Sequence, residues 1–116
     1  MKQQLFKFDL DCKVAIYVPS TINVNETTDN TEYVKQTIKQ LSMWFGGATA
    51  SKAIGGWVSA SGDVVVEDVT IVYSYCNSEN LAEHAKDIIA LCESIKADMK
   101  QEAVTLEING QVKFVY

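Results

Sequence analysis

The sequence predicts an α+β fold: a ferredoxin-like β-α-β-β-α-β antiparallel sheet with two helices on one face and a C-terminal β-hairpin. Three observations point there. Apolar residues fall at every second position in several stretches, two further stretches carry them at helical spacing, and turn-forming pairs stand between. The 116 residues, 47% of them hydrophobic and with one proline, fit a single domain spanning 1–116.

The first strand is read from Phe6, Phe8, Leu10, Cys12, Val14, Ile16 and Val18, which alternate with mostly polar residues until Pro19 ends the run. A polar loop, Ser20 to Thr28, follows. Asp29 and Glu32 have the spacing of a capping box, and Val34, Ile38, Leu41 and Phe45 then mark a buried helix face. Gly46-Gly47 stops that helix. Ala53 to Ser59 reads as a strand in which Gly55-Gly56 marks a bulge or a close backbone approach.

After the turn at Ser61-Gly62-Asp63 comes a long strand, Val64 to Cys76. Glu67 and Asp68 break its alternation, which predicts a bulge or an edge position there. Asn77-Ser78 caps a second helix, whose stripe is Leu81, Ala85, Ile88, Cys92, Ile95 and Met99. Val104, Leu106 and Ile108 return to period two. Asn109-Gly110 is the favoured type I′ pair, and Val112, Phe114 and Tyr116 complete a hairpin.

Composition narrows the function classes. Ten lysines and no arginine face fifteen carboxylates, for a net charge of −5. Arginine supplies the bidentate fork for phosphate and guanine, so direct nucleic-acid binding is not expected. Cys12, Cys76 and Cys92 form an odd set with no C-x-x-C pair, which reads as three buried thiols in a reducing cytoplasm. The start of the chain alternates where a signal peptide needs an apolar block, so export is not expected, nor is a membrane span.

The search for chemistry finds little. His84 is the only histidine, and no Cys/His cluster has zinc spacing, so neither a metal nor a cofactor is expected. His84 and Cys92 lie about 12 Å apart along a helix, too far to bond. Gly46 to Lys52 resembles a phosphate loop only superficially, because Ser51 rather than glycine precedes Lys52. Asp9 and Asp11 share a solvated strand face. Half-buried, Glu67 would have a perturbed pKa and serve as an acid or base; as an edge charge it would guard against aggregation. The aromatics are the better clue to binding. Trp44, Trp57, Tyr17, Tyr73 and Tyr75 exceed what one helix-covered face needs, unless both tryptophans pack the core.

Tyr17 to Asn25, Phe45 to Ala50, Gly55 to Val58, Val66 to Tyr73 and Gln101 to Val104 together resemble a family of small uncharacterised proteins. Such proteins are carried by plasmids, integrative elements and phages of low-GC Gram-positive bacteria. The resemblance runs from residue 14 to the end and leaves the first dozen residues outside it. It implies a bacterial host cytoplasm and, from the size and acidity of such proteins, an anti-CRISPR inhibitor of a Cas9-type nuclease.

The leading expectation is therefore a non-enzymatic protein-interaction module of a mobile genetic element, an anti-CRISPR that binds a Cas9 effector. Its partner-binding residues would be Asn23, Asn25, Glu26, Trp57, Glu67, Tyr73 and Tyr75, with no catalytic residue. One alternative is a small enzyme or ligand-binding domain with a pocket against the sheet, lined by Glu67, His84, Gln101 and Glu102 and walled by Trp57. Another is a homodimerisation module using the aromatic sheet face or a terminal strand edge.

Overall fold

The computed structural model describes residues 9–22 and 26–116. Among them the order is β1 (Cys12–Pro19), β2 (Thr21–Ile22), β3 (Glu26–Thr27), α1 (Thr31–Phe45), β4 (Thr49–Val58), β5 (Val64–Cys76), α2 (Ser78–Asp98), β6 (Val104–Ile108) and β7 (Gln111–Val115). Five strands form one sheet in the order β4-β5-β1-β6-β7, each neighbour antiparallel. Without β7 this is the ferredoxin-like order, with β1 and β5 central and α1 and α2 on one face. The fold is α+β, as the side-chain periods predict. Among the described residues no helix is long and apolar enough to cross a membrane.

Alternation in β1 divides the sheet into two unlike faces. Val14, Ile16 and Val18 are fully buried on the helix side, where Leu41 of α1 and Ile88 and Cys92 of α2 meet them. Each such aliphatic side chain contributes about 1.5–3 kcal/mol by leaving water. The other face has no helix over it. It presents Lys13, Tyr17, Tyr73, Tyr75 and Phe114, with the Lys13 ammonium 4.5 Å from the Tyr73 ring centre.

Local signals position the ends as expected. Gly46 takes φ 90° and its N–H closes on Ser42 O at 2.8 Å, which ends α1. The Asn77 side chain accepts from the N–H of Asn80 at 2.8 Å and starts α2. Asn109 and Gly110, at φ 52° and 82°, make the type I′ turn between β6 and β7.

Three expectations are corrected. β1 begins at Cys12 because its partner β5 ends at the opposed Cys76; Leu10 is exposed, and Phe6 and Phe8 lie outside the described residues. The polar loop contains the small β2–β3 pair, Thr21 with Thr27 and Ile22 with Glu26. The capping box does not form. Asp29 Oδ1 accepts from the Thr31 N–H and hydroxyl, which holds its carboxyl below the usual range, while the Asn30 side chain donates back to Val18 O, Pro19 O and Thr70 Oγ1. At the glycine pair and the acidic pair the bulge is the alternative that fails, since the β4–β5 register is unbroken from Thr49–Tyr73 to Val58–Val64.

Candidate functional site

The last β1–β5 pair is Pro19 with Val69, and β5 continues past it toward its turn. From Val64 to Asp68, β5 has a strand partner on one side only, β4. This is the edge position that Glu67 and Asp68 signal. The chain leaving Pro19 folds back over the free edge, where the Ser20 hydroxyl donates to the Asp68 carbonyl. Thr28 N–H closes the same turn on Ser20 O at 2.8 Å. On the other side, the Gln101 amide donates to Thr21 O at 2.8 Å and to Met99 O at 3.2 Å, pinning the α2–β6 connection to the turn.

Three concavities meet at this corner, and Asp68 lines all of them. The largest, about 460 Å³, lies on the helix side between Asp29, Asn30, Thr31 and Lys52. A second of about 350 Å³ runs along the free edge between Ser20, Thr27, Trp57, Val65 and Glu67. The third, about 210 Å³, opens on the helix-free face between Tyr17, Gly55, Glu67, Gln101 and Thr105.

Glycine makes room for the third. Gly55 is opposed to Glu67 on that face, and a Cβ placed on it would meet nothing within 4 Å. Gly56 answers a different demand, because its Cβ would stand 3.1 Å from the Val65 carbonyl oxygen. Close approach, rather than a bulge, accounts for the second glycine.

Electrostatically the corner is acidic and half-dry. Glu67 is half-buried, Asp68 is exposed, and Lys52 is the cation of the helix-side concavity. Tyr17 donates its hydroxyl to Glu107 Oε1 at 3.0 Å. Burial first, then that bond and the charge of Glu107, raise its pKa above the ordinary 10.0, so it stays a neutral phenol at neutral pH. Such a corner can accept hydrogen bonds from hydroxyl and ammonium groups and stack a planar ring on Trp57, which is 48% exposed.

Of the residues the sequence singled out, Trp57 and Glu67 come together along the free edge, and Gln101 joins Glu67 on the open face. Tyr73 and Tyr75 do not belong here. They pair edge to face, 5.8 Å between centroids, some six to eight residues up β5 from Glu67, which is roughly 20–25 Å. Glu26 is exposed on β3, and Asn23 and Asn25 lie outside the described residues. Glu102 lines none of the three concavities. His84 is stacked on Trp44 with centroids 5.5 Å apart and bonds Asp87 at 3.0 Å, at the far end of α1. Trp44 thus packs the core, as the plain reading allowed, and Trp57 does not. Sequence reasoning missed Ser20, Lys52 and Gly55. Only the Gly-Gly pair carried a signal, and it was ambiguous between two backbone devices.

Among the described residues, no group of three His, Cys, Asp or Glu is arranged to hold a metal ion. No protein-family model matches the chain, and no curated protein matches it. Two solved structures do. One is a phage SAM lyase in complex with S-methyl-5′-thioadenosine, at TM-score 0.63 and 22% identity, with 98% of this chain and 94% of that one covered. The other is a phage SAM lyase in its apo state, at TM-score 0.64 and 23% identity, with 100% and 93% covered. Likeness at that identity establishes the shared fold. It also corrects the leading expectation of a non-enzymatic anti-CRISPR module: the solved chains that share this architecture end to end are those of an enzyme. The match sits better with the alternative, a small enzyme or ligand-binding domain with a pocket against the sheet, than with the non-enzymatic reading.

Proposed function

We propose that this chain is a small enzyme that breaks a carbon–sulfur bond of S-adenosylmethionine and releases S-methyl-5′-thioadenosine, as a lyase. The observation that carries the reading is the end-to-end match to the phage SAM lyase structures, one of them holding that thioadenosine. The acidic corner around Glu67 and Asp68 supports it independently, since the substrate is a cation and the chain carries a net charge of −5.

The chemistry asks little of a protein. When the bond from sulfur to the amino-acid chain breaks, its electron pair goes to sulfur, and the sulfonium becomes a neutral thioether. The departing carbon chain then either loses a proton or is captured by its own carboxylate, without water. The protein therefore has to hold the nucleoside, orient the flexible chain and keep water out. In this reading Trp57 stacks the adenine ring, Glu67 accepts from the ribose hydroxyls or the ammonium group, and Gly55 leaves the space for them.

Incubation with S-adenosylmethionine tests this directly. S-methyl-5′-thioadenosine, measured by liquid chromatography and mass spectrometry, should accumulate in proportion to protein and exceed a boiled control. Glu67→Gln keeps the shape and removes the charge, and should lower kcat/KM about tenfold or more while the circular dichroism spectrum is unchanged. No product above the boiled control at millimolar substrate would end the lyase reading.

A further inference from the structure

Cys12 and Cys76 face one another across the two central strands. They are a register pair of β1 and β5, so both side chains point to the same face of the sheet. Cys12 is the first residue of β1 and Cys76 the last of β5, so the pair closes the end of the ladder. Directly opposed antiparallel residues have Cα atoms about 4.5–5.5 Å apart, inside the roughly 4.4–6.8 Å that a disulfide spans. Lys13 turns its N–H and carbonyl to Asn109, so Cys12 turns its own toward β5. The pair is therefore of the wider kind, whose Cβ atoms need to approach by about 1–2 Å, which the terminal pair of a ladder accommodates most easily.

We propose that Cys12 and Cys76 are a dithiol that low-molecular-weight disulfides oxidise to a cross-strand disulfide. Cys12 Sγ has two polar neighbours: the Asn109 side-chain amide donates to it at 3.7 Å, and its own thiol donates to Asp11 Oδ1 at 3.7 Å, while the Asn109 oxygen accepts from Lys13 N–H at 2.8 Å. Both cysteines are buried, at 6% and 2% exposure, yet Asp11 and Asn77 next to them are exposed. Opening a single terminal pair therefore admits a reagent without unfolding the core.

With glutathione disulfide as oxidant, the Cys12 thiolate attacks one glutathione sulfur and displaces the other as a thiolate. The Cys76 thiolate then attacks Cys12 Sγ and displaces the second glutathione. Two protein thiols are oxidised, one glutathione disulfide is reduced, and the two protons end on the two glutathione thiols. Cys92 has no cysteine opposite it. It is fully buried on α2, and its thiol is pushed up to about 12 by burial and by Glu93. Burial, then Cys12 and Asp11, raise Cys76 as well, so what sets Cys92 apart is its place, in mid-helix and away from the open end of the ladder. The pair lies eight residues along β5 from Asp68, and the proposal does not depend on the lyase reading.

The folded wild-type protein is the material for the test, incubated with glutathione disulfide in native buffer. Titratable thiols should fall from three to one, the intact mass should drop by two hydrogens, and a non-reducing peptide map should join Cys12 to Cys76. The closed loop is long, so the Tm should rise by roughly 5–15 °C and return on reduction. Cys12→Ser and Cys76→Ser should each abolish the link, and Cys92→Ala should keep it. The wild-type map decides if a variant fails to fold. Three thiols still titrating, or a link to Cys92 or between chains, would overturn the proposal.

Discussion

Cys92 shows how a single buried thiol can govern behaviour in alkali. Burial pushes it up to about 12 from an ordinary 9.0, so the unfolded chain gives up this proton first. Between those values the folded state binds more protons, and stability present below about pH 9 is lost as pH rises. The slope reaches about 1.4 kcal/mol per pH unit. Tyr17 adds a contribution of the same sign above its ordinary 10.0, since burial and Glu107 raise it too. Urea melts from about pH 8 to 11 should show a steady decline. Cys92→Ala should flatten that decline while costing about 1 kcal/mol of its own through lost packing. An equally steep decline in the variant would assign the alkaline loss to other groups.

The β4–β5 ribbon is the element on which the site depends. Its ten-pair register runs past the end of β1, which turns the Glu67–Asp68 segment into a free edge and makes the three concavities around it. Gly55→Val places a β-branched side chain where the open face has space, so the strand should keep its stability within about 1 kcal/mol. The same side chain fills the concavity beside Glu67, and turnover of S-adenosylmethionine should fall at least tenfold with the Tm held. Full activity in that variant would place substrate elsewhere. Elements of this kind were legible because their signals are local. Gly46, Asn77 and the Asn109-Gly110 pair each act within a few residues, and the sequence shows them directly. The site was only half legible. Trp57 and Glu67 could be singled out by type, but their neighbour Ser20 matters because the chain after Pro19 folds back so that its hydroxyl meets the Asp68 carbonyl, a contact between distant positions that no local signal shows.

At the scale of the whole molecule, the two faces of the sheet divide the work. The helix face supplies the apolar burial, with Ile16, Leu41 and Ile88 fully out of water, and the opposite face is left to Tyr73, Tyr75 and Phe114. The helix-free face explains why more aromatics are present than the core consumes. Composition alone could not say that the surplus falls into two groups at opposite ends of β5, with Trp57 and Tyr17 at the acidic corner and Tyr73 and Tyr75 at the other end.

The central place of β1 has a kinetic consequence. Val58 and Val64 pair across six positions, so the β4–β5 ribbon can close early, within microseconds. Ile16 must instead find Val72, 56 positions on, and Leu106, 90 positions on. Closing such long loops precedes any reward from contacts, so capture of the first strand by the later ones sets the folding rate, on a time scale of milliseconds to seconds. Stopped-flow refolding should then find Ile16→Val slowing the folding limb with little change in unfolding. Val115→Ala in the outermost strand should mainly speed unfolding. A chain that leaves a ribosome N-terminus first makes its central strand early and has nothing to pair it with until β5, about two thirds of the way along, has emerged.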